Sequence, residues 1–227
     1  VKRNKILKPI LFLACLGPVF LLLWKGLNQF VPPVGPLGRL AAYAGDLGAN
    51  PIEVITHSTG YWTLMFLLIT LAITPLRKLT GMLWLIQYRR MLGLFAFFYG
   101  TLHFTTYIWL DKFFDVHEMI KDVAKRPFIT IGFTAFVLMI PLALTSTTGW
   151  IRRLGGKRWN RLHQLIYVSA ACGVIHFYWL VKKDVRRPVF YGTILGMLLL
   201  YRIAAKATSA WNKRQAPATV RTRPAEQ

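Results

Sequence analysis

The chain has 227 residues, of which 55% are apolar, with a mean hydropathy of +0.42 and a formal charge of +21. Too little polar surface is available to coat a soluble fold, so lipid must solvate most of the chain. In a soluble protein such a charge would suggest nucleic acid; here the basic residues are bracketed by apolar runs, which argues against that partner.

Apolar runs of membrane-spanning length cover residues 9–24, 59–76, 91–110, 128–145, 162–181 and 188–205. The expected fold is therefore all-α, a bundle of six transmembrane helices. Lys2, Arg3, Lys5 and Lys8 precede the first run as in a signal peptide, but the run carries Pro18 and lacks a small-residue cleavage site, so it reads as a retained helix. Residues 28–51 are rich in Gly, Pro and Ala and read as an external loop. Pro75, Pro127 and Pro188 fall at span ends, whereas Pro18 and Pro141 fall inside spans and should kink them. Cys15 and Cys172 lie in apolar runs, where they pack as small residues. Between the third and fourth runs, Asp115 to Lys125 alternates apolar and charged residues at helical spacing, as in a short interfacial helix. Gly192 and Gly196 form a GxxxG pair on the last span, a signature of close helix packing. Residues 1–206 thus form one membrane domain, and 207–227, basic and holding Pro217 and Pro224, read as a disordered cytoplasmic tail.

Charge placement orients the bundle. The N-terminal tail, the 77–90 and 149–161 loops and the C-terminal end hold 19 of the 29 Lys and Arg. The opposite side holds seven of the eight acids: Asp46, Glu53, Asp111, Asp115, Glu118, Asp122 and Asp184. The positive-inside rule then puts both termini in the cytoplasm.

Ionisable side chains inside a bilayer are costly and mark function, and His103, His163 and His176 lie within runs. His103 is about 20 Å from Arg90 and His176 about 22 Å from Arg161 along helices that both run outward. They meet at one level in the outer half of the bilayer, which suits two axial imidazoles gripping one haem iron. A lone transmembrane histidine as often merely bonds a neighbouring helix; matched depth favours ligation. His163 lies about 3 Å inside the cytoplasmic edge, and on a straight helix its side chain points about 140° away from that of His176. A second haem, another cofactor and a cap on the helix surface are equally open to it. His57 falls at the outer interface, where a hydrogen bond to a haem propionate is open to it although an ordinary interfacial histidine is the default reading, and His117 falls in the external loop and is assigned no role.

No GxGxxG and no Walker-type loop occurs in the chain, so electrons must come from a separate protein or a membrane quinol. At the histidines the sequence resembles the MsrQ (YedZ) family of haem-binding membrane subunits, themselves similar to ferric-reductase-like transmembrane proteins and the membrane part of NADPH oxidases. The matching stretches are His57-Ser58-Thr59-Gly60, LLITLAITPL from 67, YRRMLGL from 88, TLHFTTY from 101, KRPFITIG from 125, LALTST from 142, GKRWNRLHQLIYV from 156 and IHFYW from 175. They run in order through most of residues 55–205.

The resemblance implies that His103, His163 and His176 are the haem-associated set, with His103 and His176 as axial ligands and His163 available to a second iron. It implies haem b, one copy or two, together with FMN. It also implies a multi-pass protein of the bacterial inner membrane, the electron-transfer subunit of an oxidoreductase complex. A cytosolic flavin reductase or a quinol feeds it, and it delivers to a periplasmic molybdopterin subunit that reduces methionine sulfoxide. One haem in the outer half leaves much of a roughly 30 Å core uncrossed, which gives a flavin near the inner surface a reason to exist. Arg77, Arg89, Arg90, Arg158 and Arg161, with Lys78 and Lys157, are candidates to hold the FMN phosphate or haem propionates, although the same residues also serve topology. Trp150 and Trp159 flank that loop and are candidates to stack on a flavin. Two other readings stay open: a stand-alone ferric or quinone-linked reductase, and a transporter whose histidines relay protons, which predicts colourless protein.

Overall fold

A computed structural model describes residues 2–30 and 45–215, and all regular structure among them is helical. Helix α1 covers Lys2–Phe30. Helix α2 (Pro51–Thr80) starts where the Asn50 side chain accepts from the Glu53 amide and donates to its carboxylate, with proline at the first position, and stops at Gly81 (φ 71°). A 3-10 segment, Leu83–Tyr88, leads into α3 (Arg89–Thr106), whose last turn widens into a π-helix at Tyr107–Asp111. Short helix α4 (Val116–Lys125) precedes α5 (Pro127–Leu144), α6 (Thr148–Leu162), α7 (Leu165–Leu180) and α8 (Arg186–Gln215).

Five segments are long and apolar enough to cross a membrane: Ile6–Gln29, Pro51–Thr80, Leu83–Asp111, Pro127–Leu144 and Arg186–Asn212. The expected span at 162–181 shrinks to α7, whose 16 residues extend about 24 Å, short of a hydrocarbon core of about 30 Å. The chain breaks before it, at His163 and Gln164, so the straight helix assumed in setting His163 and His176 about 140° apart does not exist. The expected loop at 149–161 is largely α6, bent at Gly155 (φ 71°). Pro75 lies inside α2 rather than at a span end. Of the GxxxG pair, Gly192 faces α7, where a Cβ would stand 3.3 Å from Val174, while Gly196 has nothing within 4 Å. Helix α8 runs through the expected boundary at residue 207 to Gln215; the remainder of the expected tail, and residues 31–44 of the expected external loop, lie outside the described residues. The amphipathic helix expected at 115–125 is α4.

Helix α2 is the centre of the bundle. It packs along α3 and also meets α1, α7 and α8, while α5 packs along α7. One core stacks Phe66 against Tyr99 (ring centroids 5.4 Å apart) and Phe95; the other joins Leu64, Leu68 and Leu71 to Ala170 and Leu195. Because successive long helices alternate in direction, all the described acids gather at the end carrying α4, and His103 and His176 lie near it. Asp122 is buried there between Lys112 (2.6 Å) and Arg126 (3.4 Å). The Lys112 bond, helped by the Arg126 charge, holds its carboxyl below the usual carboxylate range, and so fastens α4 to the end of α3.

Tyr99 explains how α1 keeps a proline within a span. Its fully buried hydroxyl accepts from the Val19 amide (3.2 Å) and donates to the Cys15 carbonyl (2.8 Å), inserting into the ladder that Pro18 opens. Tyr99→Phe strands both backbone groups in an apolar setting, at a cost of about 1–3 kcal/mol. Maleimide labelling of Cys15, which is 4% exposed, should accelerate in that variant, with no change at Cys172.

Candidate haem site

The two histidines of the outer level stand together. His103 is on the last turn of α3 and His176 near the end of α7, with ring centroids 6.1 Å apart and planes at 74°. Two metal–nitrogen bonds of about 2 Å plus the half-widths of two imidazoles make a span of about 6 Å, so the separation fits one iron held between the rings.

Each ring is oriented by a main-chain carbonyl of a neighbouring helix. His103 Nδ1 lies 2.9 Å from the Thr56 carbonyl on α2, and His176 Nδ1 lies 2.6 Å from the Phe128 carbonyl on α5. A carbonyl only accepts, so both Nδ1 atoms carry the hydrogen and both Nε2 atoms carry the lone pair. Neither Nε2 has a hydrogen-bond partner among the described residues. This is the arrangement of a metal-ligating histidine whose other ring nitrogen is held by an acceptor. Among the described residues no three His, Cys, Asp or Glu side chains converge, and a pair of imidazoles suits a macrocycle that brings its own remaining donors.

A Cβ placed at Gly60 would stand 3.0 Å from His103 Cε1, and one at Gly132 would stand 2.6 Å from His176 Nδ1. Both glycines sit in stretches singled out by resemblance, yet no spacing rule pointed to them. Their role becomes visible only when α2 and α5 are laid against the rings.

His163 is placed apart. Thr145 Oγ1 donates to the Pro141 carbonyl (2.6 Å), so at 3.1 Å from His163 Nε2 it must accept, which makes His163 the opposite tautomer from the pair. The Trp159 ring covers its face at 3.9 Å and is tied by its own N–H to the Thr145 carbonyl. Trp150 instead lies under Arg153. His57 is exposed beside Glu53, and His117 is exposed on α4.

The arginines divide into two groups. Arg90, Arg158 and Arg161 are exposed, as are Lys78 and Lys157, whereas Arg77 and Arg89 are half-buried. Arg89 lies against Tyr167 and Arg202, the latter a residue that sequence reasoning passed over. Arg202 donates to the Tyr167 hydroxyl and the Leu71 carbonyl, linking α8 to α7 and α2. The Nε atoms of Arg77 and Arg202 and the Tyr88 hydroxyl are buried without a partner. Among the described residues no acid lies at this end of the bundle.

Comparison with known proteins places the chain among haem-binding membrane subunits. The family model described as "Ferric reductase like transmembrane component" matches residues 59–174, which include His103 and His163 and end two residues before His176. A "Protein-methionine-sulfoxide reductase heme-binding subunit MsrQ" from Herminiimonas arsenicoxydans is 59% identical over 189 residues, covering 82% of this chain and 85% of the relative. Proteins of the same name from Azospira oryzae and Bordetella pertussis are 51% identical over 181 residues (78% of each chain) and 46% identical over 212 residues (92% of this chain, 93% of the relative).

With its Nε2 occupied and its face covered, His163 is expected to be dispensable for the haem of the outer pair. The His163→Ala protein should retain wild-type haem per chain by pyridine haemochrome; loss of half the haem would instead assign His163 to a second iron.

Proposed function

The chain belongs to the MsrQ family of ferric-reductase-like membrane proteins, and on that premise we propose that it is a flavocytochrome of the bacterial inner membrane. It takes electrons from a cytosolic flavin reductase or the quinone pool and passes them through FMN and haem b to a periplasmic molybdopterin subunit that reduces methionine sulfoxide. The observation that carries this reading is the pair His103 and His176, 6.1 Å apart with each Nδ1 bonded to a main-chain carbonyl. The positive-inside rule makes the arginine end cytoplasmic and the α4 end periplasmic.

When bound, haem b supplies a one-electron centre, and FMN supplies a centre that exchanges electrons singly or in pairs. The chain's own part is to hold and separate them. His103 and His176 would hold the iron from two helices, and the carbonyls of Thr56 and Phe128 keep both imidazoles in the tautomer that leaves Nε2 free to ligate. Arg89 lies about 21 Å from His103 along α3, so a second carrier at the arginine end shortens the path across the bilayer. Half-buried Arg77 and Arg89, with Arg202, offer guanidinium groups that no acid among the described residues pairs, which fits the phosphate of FMN; exposed Arg90, Arg158 and Arg161 would meet a donor protein. A stand-alone ferric or quinone-linked reductase would use the same pair, and the family resemblance to ferric reductases favours testing it.

Purified protein should show a low-spin haem spectrum that disappears in His103→Ala and in His176→Ala. Dithionite-reduced protein should be reoxidised by the purified molybdopterin subunit far faster than by ferric chelates or a quinone. A haem spectrum surviving in either variant would overturn the ligand assignment, and preference for ferric chelate would favour the stand-alone reductase.

A further inference from the structure

The carbonyls that orient the two imidazoles are already engaged within their own helices. In an α-helix the carbonyl of residue i accepts the N–H of residue i+4, and the side chain of residue i+4 leans back over that carbonyl. A small hydroxyl can still reach the remaining lone pair past that side chain, as Ser169 does at Ala135 beside Met139, but a ring as broad as imidazole is given room where the side chain is missing. In α2 the residue four after Thr56 is Gly60; in α5 the residue four after Phe128 is Gly132. Both rings therefore sit in the same kind of seat, a helix carbonyl with a glycine one turn further on.

Resting on the reading that His103 and His176 ligate haem iron, we propose that Gly60 and Gly132 are the positioning residues of that iron. Each uncovers the carbonyl one turn before it so that an imidazole can bond there through Nδ1–H. A Cβ at position 60 would meet His103 Cε1 at 3.0 Å and Nδ1 at 3.1 Å. At position 132 it would meet His176 Nδ1 at 2.6 Å, Cε1 at 2.9 Å and Cγ at 3.0 Å. These ring atoms are pinned by the hydrogen bond itself, so they yield only by giving it up. A Cβ at Gly173 would make ordinary contact with Leu64 at 3.8 Å and one at Gly196 would touch nothing, while the 3.0 Å neighbour of Gly100 is the flexible tip of Met139, which can move aside without breaking a hydrogen bond.

Losing the bond frees the tautomer and turns the ring, so the lone pair no longer stays fixed on Nε2. It also withdraws the electron density that a donating Nδ1–H lends to the ligand, a loss that destabilises ferric more than ferrous iron. Weaker haem binding and a more positive midpoint potential should appear together, and more strongly at position 132, where the clash is closer.

The test uses the full chain in detergent, with haemin titrated into apoprotein, visible spectra and a redox titration. Gly60→Ala should bind haemin about 10-fold more weakly and Gly132→Ala about 100-fold, the range expected when an outer-shell partner is removed. Both should have raised potentials, and Gly196→Ala should match wild type. Wild-type affinity and potential in Gly60→Ala and Gly132→Ala would overturn the proposal. Should Gly132→Ala fail to accumulate, Gly60→Ala decides alone, since its closest contact, 3.0 Å, is the milder. His103→Ala and His176→Ala run beside them: haem retained there sinks the ligation reading itself, whereas haem lost there but unaffected by the glycine changes sinks only the positioning role.

Discussion

The site depends on a hydrogen bond from an imidazole to the main chain of another helix, made twice. A histidine within a bilayer needs a partner for its N–H, and the acceptor common in soluble metal sites is a carboxylate. A carboxylate at this depth would add a charge that costs about 2.5–3.5 kcal/mol at a helix centre. A backbone carbonyl satisfies the donor without that charge, and its helix holds it more rigidly than any side chain holds its own tip. Thr56 lies in the second turn of α2 and Phe128 in the first turn of α5, so the acceptors are fixed by where those helices begin. Asn50 capping α2 and Pro127 opening α5 therefore contribute to the site although they touch no histidine.

The same bond pairs the helices. Helices α2 and α3 form one half and α5 and α7 the other, with acceptor and ring 47 residues apart in the first and 48 in the second. Two similar halves facing each other are what two axial ligands require. The likeness that serves the site is a glycine and a histidine per half, and the stretches between them show no evident sequence similarity, so no repeat is visible along the chain. Ser169 then locks the second half, donating from a fully buried position on α7 to the Ala135 carbonyl on α5.

What could be read from the sequence followed from quantities that need no tertiary contacts. Apolar length and a rise of about 1.5 Å per residue suffice to place His103 and His176 at a common level. The alternating charges of 115–125 suffice for α4. The break at His163 and Gln164 carries no Gly or Pro to mark it; His163 there bonds Thr145, 18 residues earlier on another helix, and stacks on Trp159 one turn before it. Helix α6 was hidden for the opposite reason, since its basic residues and Gly155–Gly156 read as a loop. Arg202 escaped notice because it lies near the end of a span, where a topological role is the default, and only its bonds to Leu71 and Tyr167 distinguish it. The two glycines carried no signal of their own, because a missing side chain matters only once its neighbour is known.

The shortness of α7 then bears on how electrons leave. A helix of 16 residues, about 24 Å long, cannot cover a full hydrocarbon core, and His176 lies four residues, about 6 Å, before its end at Leu180. The bilayer must thin there, or neighbouring protein must fill the difference. At that end α4 lies across the bundle, fastened by Asp122 to Lys112, and Trp109, Phe113 and Phe114 present exposed aromatic rings at the border. The histidine pair is consequently separated from the α4 end of the bundle by little more than one helical turn of protein. On the proposed route a soluble acceptor would need only to approach that face, whereas the longer path, from the arginine end, would be the one that requires an additional carrier within the membrane.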